Sequence, residues 1–230
     1  MTIQAILPVS DIHIPLSDTE TALTNYAAGK LSPAKHTLVS YAIELNPKLA
    51  QAGEFNMAVA ASMLDDVRPV ALSPLFMGKV LEKLSFERSE PVANDRFATP
   101  TLPGALKPLI KHIDAGNIPW KSLFPGVAIH EVLGNRKSKR GERLYLLKVK
   151  SGMQMPEHSH DGQEWALIIS GSYSVNQKIY RRGDLHIENE HTSHSPLVCE
   201  GEDCICLVMT EAPLVMKGLL PKLVQRVVGI

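Results

Sequence analysis

Apolar positions recur at helical spacing in the first third of the chain and at strand spacing over much of its second half. Ser17 and Glu20 stand three apart just before Ala22-Leu23, which is the pattern of a helix-starting capping box. Gly29 is placed to end that helix in a left-handed conformation. Ser32-Pro33 predicts a second start, an N-cap followed by proline in the first turn. Leu38, Tyr41, Ala42 and Leu45 follow on one helical face. Pro47 interrupts and opens a third helix reaching Leu64. Ser73-Pro74 repeats the start signal before Met77, Val80, Leu81 and Leu84. Four short amphipathic helices over residues 1–84 predict a small bundle. So small a unit has a limited core of its own, which favours docking onto something else.

Residues 85–103 lack any sustained period and carry Pro91, Pro100 and Pro103, as expected of a linker that lets two domains move. From 104 to 230 the pattern changes to short apolar or alternating runs: Arg143 to Val149, Trp165 to Ile169, Ser172 to Val175 and Cys204 to Met209. Gly152, Gly162, Gly171, Gly183 and Gly201 punctuate them, and the spacing predicts an all-β sandwich or barrel. Gly171 between Ile169 and Tyr173 reads as a hairpin turn. The basic run Arg136 to Arg140 reads as a solvated loop. The expected fold class is therefore α+β, a helical bundle followed by a jelly-roll β-barrel.

The candidate chemistry lies inside the β half. His158, His160 and Glu164 share parity, so in an extended segment all three project from one face. Gly152 and Gly171 frame them, and His194 follows Gly183 by eleven residues. His194 must come from a neighbouring strand to close the site. Three imidazoles and a carboxylate suit a divalent transition metal without selecting one. The alternative is a set of surface histidines, in a region that also holds His186 and His191. The glycine-framed spacing resembles that of the two metal-binding motifs of the cupin barrel.

Composition narrows the setting. Hydrophobic residues make up 44% and charged residues 21%, which is ordinary globular material, and the formal net charge is zero. A balanced charge argues against direct nucleic-acid binding. No apolar run reaches the roughly 18 residues of a membrane span. The N-terminus, with Pro8, Asp11 and Pro15, lacks a signal-peptide pattern. Three cysteines clustered near the C-terminal end do not form a disulfide framework. A cytoplasmic location is expected.

Several segments carry a more specific resemblance. They are Leu23 to Gly29, Pro69 to Ser73, the block from His158 to Gly171, Asp203-Cys-Ile-Cys-Leu207, Glu211-Ala-Pro-Leu214 and Leu220 to Arg226. Through them the chain resembles ChrR-type anti-sigma factors nearly end to end. The resemblance implies a helical domain that sequesters an extracytoplasmic-function sigma factor. It also implies a cupin-like domain that binds zinc and is needed for release under singlet oxygen or organic hydroperoxides. Carried over residue by residue, the zinc ligands are His158, His160, Glu164 and His194. Leu23, Tyr26, Leu38, Tyr41 and Leu45 are the expected partner-binding side chains. The sigma factor is the expected partner, with a homodimer left open.

One departure stands out. The family's helical-domain zinc ligands fall on Ala42, Asn46 and Leu49, with an early histidine position near Ser17, and none of these is a histidine or cysteine. The helical domain is accordingly expected to hold no metal, with hydrophobic packing in its place; His13 and His36 are expected to be surface residues. A competing reading is a cupin metalloenzyme, dioxygenase-like, or a small-molecule sensor with a helical domain that does not bind sigma. No catalytic residue is assigned. Cys199, Cys204 and Cys206 are redox candidates, against the alternative of inert buried thiols. Met153 and Met155 are expected in barrel packing. The stripe Leu219, Leu220, Leu223, Val224, Val227 and Val228 is expected to pack on the barrel.

Overall fold

A computed structural model describes residues 17–86, 117–133, 141–190 and 192–216. Most of the linker, the basic run, His13, His191 and the C-terminal stripe lie outside these residues. The helices are α1 (Asp18–Ala27), α2 (Pro33–Leu45), α3 (Pro47–Asp65) and α4 (Phe76–Phe86). Their starts follow local chemistry. Ser17 and Glu20 form the reciprocal capping box of α1. Ser32 caps α2 with Pro33 in its first turn. Asn46 caps α3 through its side chain, 3.1 Å from Lys48 N. Gly29 takes φ +65° after α1, a conformation that costs glycine little.

The strands are β1 (Lys121–Phe124), β2 (Val127–Leu133), β3 (Arg143–Val149), β4 (His158–His160), β5 (Glu164–Ser170), β6 (Ser172–Val175), β7 (Lys178–Arg181), β8 (Leu185–Glu188), β9 (Ser193–His194), β10 (Leu197–Val198), β11 (Cys204–Thr210) and β12 (Leu214–Met216). They form three antiparallel sheets, ordered β1-β2-β3-β11-β5-β8, β10-β6-β7 and β12-β4-β9. Among the described residues this is a cupin-like β-sandwich rather than the closed barrel expected from the sequence. Gly171 also differs from expectation. It does not turn a hairpin, because β5 pairs with β11 and β8 whereas β6 pairs with β10 and β7. It is a corner at which the chain passes from one sheet to another. Its φ is +70°, and a Cβ there would lie 2.7 Å from the Asp203 carbonyl oxygen.

Both faces of the six-stranded sheet are apolar, and each buries its own core. Tyr145, Ala166, Ile168, Cys204, Cys206 and Val208 point inward against Tyr173, Val175, Tyr180 and Val198. Leu144, Leu146, Trp165, Leu167, Ile169, Leu207 and Met209 point to the other side, where Ala22, Leu23, Leu38, Val39, Tyr41 and Ala42 of α1 and α2 cover them. The apolar face of α2 thus turns toward the sheet.

The side chains of the expected partner-binding set take part in this packing. Leu23, Leu38 and Tyr41 are fully buried, and Tyr26 and Leu45 are partly buried against the same core. The physical reason is the apolar outer face of the sheet, which would otherwise be left in water. Ala42 and Leu49 serve this packing. Asn46 donates from Nδ2 to the Gly183 carbonyl at 3.2 Å, tying α2 to the β7–β8 turn. His36 stacks on Tyr26 with ring centroids 4.6 Å apart.

Candidate metal centre

Strand β4 presents His158 and His160 on one buried face, as their parity requires. Glu164 does not continue that strand. The chain bends through Asp161 and Gly162, and Glu164 opens β5, whose inward face carries it to the two histidines. His194 lies on β9, directly opposite His158 in the pairing of β9 with β4. All three imidazoles are buried, so they are not surface histidines. One ligand atom from each of the four residues lies within 4.8 Å of every other.

The Nε2 atoms of the imidazoles converge. His194 Nε2 is 2.8 Å from His158 Nε2 and 3.2 Å from His160 Nε2. A Glu164 oxygen lies 3.9 Å from His194 Nε2. Ligands on an ion with metal–nitrogen bonds of about 2.0–2.1 Å stand about 3.3 Å apart in a tetrahedral set and about 2.9 Å apart at right angles. The cluster therefore has both the donor chemistry and the spacing for one transition-metal ion.

Tautomers and charge agree with that use. His158 Nδ1 donates to the Pro156 carbonyl at 2.8 Å, which leaves its Nε2 as a bare lone pair aimed at the cluster. Burial pushes the His158 and His160 imidazoles down to about 4, so both are neutral near pH 7. Burial pushes the Glu164 carboxyl up to about 7, against a smaller lowering by His194. A carboxylate in so dry a place is stabilised by a cation.

Three residues that the sequence did not mark stand behind His194. His194 Nδ1 faces Glu188 Oε1 at 3.4 Å. Glu188 Oε1 is 2.8 Å from His186 Nε2, and His186 Nδ1 is 2.8 Å from the Tyr173 hydroxyl. For Glu188, burial acts to raise the carboxyl, but bonding led by His186 outweighs it and holds the group well below the usual range. The alternation of Leu185-His-Ile-Glu188 places His186 and Glu188 on one face and was the available signal.

Beneath the cluster is a cavity of about 60 Å³, lined by His158, Glu164, His194, Tyr173, Cys204 and Cys206 among apolar side chains. Cys204 and Cys206 share the inward face of β11 with their sulfurs 3.6 Å apart, both unoxidised. Hydrogen bonding to Cys204, with burial, pushes the Cys206 thiol well above its usual value. Such a thiol is a poor nucleophile. Cys199 is partly exposed and does not line the cavity. Met155 lines it, as packing predicts.

A cupin-like sandwich with helices packed on its outer face and a buried His/Glu cluster that could bind a metal defines the class of protein. Residues 111–213 match the ChrR cupin-like domain family. The chain is 33% identical over 211 residues to the anti-sigma-E factor ChrR of Cereibacter sphaeroides, spanning 90% of this chain and 94% of that protein. It is also similar to a chain in the crystal structure of Rhodobacter sphaeroides SigE in complex with the anti-sigma ChrR. The TM-score is 0.63 and the identity 26%, over 83% of this chain and 96% of that one. The chain belongs to the ChrR-type anti-sigma factor family.

Proposed function

We propose that this protein is an anti-sigma factor that sequesters an extracytoplasmic-function sigma factor and releases it under oxidative stress. The observation that carries the reading is an apolar helical surface left exposed in a chain similar along its length to an anti-sigma factor. Phe55, Val59 and Met63 recur four apart on α3 and are exposed, as is Met77 on α4. Soluble proteins seldom leave such a stripe in water unless a partner covers it. The α1–α2 face is consumed by the sheet, so the partner surface moves to α3 and α4.

Within this reading His158, His160, Glu164 and His194 hold one zinc ion, the metal that the family resemblance favours. A bound divalent ion ties β4, β5 and β9 together and offers a site at which oxidant chemistry alters the fold. His158 and His160 supply lone pairs, and Glu164 supplies the charge that offsets the ion. Cys204 and Cys206 line the same cavity and are the favoured thiols for oxidation, ahead of Cys199. The working division is helices 1–84, linker 85–103 and cupin-like segment 104–230. The action is regulatory rather than catalytic, and it takes place in the cytoplasm, where the sigma factor works. Among the described residues no helix is long and apolar enough to cross a membrane.

Affinity purification of the full chain from its native cell tests the reading. Co-purification of a sigma factor, lost on oxidant challenge, is the expected result. Recovery without any sigma factor, with turnover of a small-molecule substrate, would favour the metalloenzyme alternative.

A further inference from the structure

Lys35 lies in the first turn of α2, yet its side chain is 15% exposed and its ammonium reaches residues of the β half beside the outward-facing Trp165. Nζ donates to Glu211 Oε1 at 2.6 Å and to Gln163 Oε1 at 2.8 Å. It also stands 5.3 Å from the centre of the Trp165 ring. Gln163 Oε1 accepts a second bond from Trp165 Nε1 at 3.1 Å. Glu211 in turn is clamped to Gln163 through the backbone: Gln163 N donates to Glu211 Oε2 at 2.9 Å, and Glu211 N to the Gln163 carbonyl at 3.1 Å. Gly162 completes the clamp, because a Cβ there would lie 3.0 Å from both Cβ and Oε2 of Glu211.

The residue between Gln163 and Trp165 is Glu164, the carboxylate of the metal cluster. Side chains alternate across a strand. Glu164 therefore points inward to the histidines while Trp165 packs outward beneath α2. We infer that Lys35, Gln163 and Glu211 form a latch that couples the metal cluster to the docking of the helices on the sheet. The inference deepens the proposed function and rests on the reading that the cluster holds a metal.

The coupling is short and contiguous. With an ion bound, Glu164 is fixed to three histidines, and the start of β5 is fixed with it. When the ion leaves or a ligand is altered, the bend from His160 to Glu164 loses that anchor. A displacement of about one ångström at Gln163 is enough to carry bonds of this length beyond effective hydrogen-bond range. Lys35 then loses both acceptors, and the N-terminal end of α2 loses its polar tie, leaving the Asn46 bond to the Gly183 carbonyl at the other end. Helix α3 packs on α1 and α2, so loosening the N-terminal end of α2 shifts the apolar face that the sigma factor covers. Linkage makes the effect reciprocal: whatever metal adds to docking, docking adds to metal affinity.

The test uses the full chain with zinc ion as the probe. Lys35→Met and Glu211→Gln each remove the latch, and Lys30→Met removes a nearby exposed lysine as a control. Zinc affinity is measured by competition with a chromophoric chelator. Amide hydrogen exchange of residues 33–45 is followed with and without zinc. A latch predicts that both latch variants bind zinc about fivefold or more weakly, in the lower part of the range for coupled sites, while Lys30→Met binds as the natural protein does. It also predicts that zinc slows exchange of α2 in the natural protein and has little effect on it in Lys35→Met. Unchanged zinc affinity in both latch variants, or equal protection of α2 by zinc in all forms, overturns the latch alone. Failure of the natural protein to bind zinc overturns the metal reading and the latch with it. If Lys35→Met does not fold, Glu211→Gln, which keeps the side-chain shape, decides.

Discussion

Zinc affinity should depend on pH through Glu164. Its carboxyl is pushed up to about 7 by burial, while the His158 and His160 imidazoles are pushed down to about 4. Ligands bind metal only when deprotonated. Below pH 7 each ion that binds must displace a proton from Glu164, and this group by itself lowers affinity about tenfold per unit of pH. Between pH 8 and pH 5 the loss from this one group is roughly a hundredfold, whereas an unperturbed carboxyl would cost less than about twofold. His158 and His160 add little to the loss above pH 5. Glu164→Gln removes the titration while keeping the shape. The Gln variant should bind more weakly at pH 8, and its affinity should fall across this range by about a hundredfold less than that of the natural chain. Chelator competition at half-unit steps from pH 5 to pH 8 reads both curves. Parallel curves would show that Glu164 is ionised at pH 5 and that the buried, proton-holding site is wrong. Stability provides the complementary sign. Without metal the folded state holds this proton more tightly than the unfolded chain, so the group's contribution falls as pH rises from about 4.5 through 7. Zinc should remove that loss.

Other substitutions test the packing. Leu38→Ala empties a fully buried position between α2 and the sheet and should cost about 3 kcal/mol in chemical denaturation; a loss under about 1 kcal/mol would mean that the helices do not dock there. Gly171→Ala places a Cβ 2.7 Å from the Asp203 carbonyl at a φ of +70°. It should lower stability by at least about 2 kcal/mol, seen as a fall in Tm, and an unchanged Tm would refute the corner. Ser17→Ala breaks the capping box of α1 and should cost about 1 kcal/mol, with no change in zinc affinity.

Much of the helical half is legible in the sequence because capping is local. Ser17 with Glu20, Ser32 with Pro33, and Pro47 after Asn46 each set a start within a few residues. The His/Glu cluster that could hold a metal was equally readable, since the histidines, Glu164 and the framing glycines sit at fixed spacings. What the helices pack against was harder to see, although a clue was present. Trp165-Ala-Leu-Ile-Ile169 and Cys204 to Met209 are apolar at both parities, so both faces of those strands must be buried. A sheet with one face in water would alternate. The helices supply the second cover, and for that reason Leu23, Leu38 and Tyr41 are buried against the sheet. Gly171 was misread because a glycine between two strands serves a hairpin and a sheet-to-sheet corner equally well; only pairing with distant β11 and β10 distinguishes them. His186 and Glu188 lie outside the ligand spacing, and their role behind His194 depends on β8 lying beside β5, a long-range pairing.

In the proposed function the exposed faces of α3 and α4 hold a sigma factor. The direct measurement is a binding titration of the full chain against an extracytoplasmic-function sigma factor from the same cell, comparing the natural protein with Phe55→Asp/Met63→Asp. Phe55 and Met63 are 70% and 69% exposed, so charges there should leave the fold intact. The account predicts a tight one-to-one complex for the natural chain and at least about tenfold weaker binding for the double variant, with helix content and zinc affinity unchanged. No binding by the natural chain, or equal binding by both proteins, would contradict it.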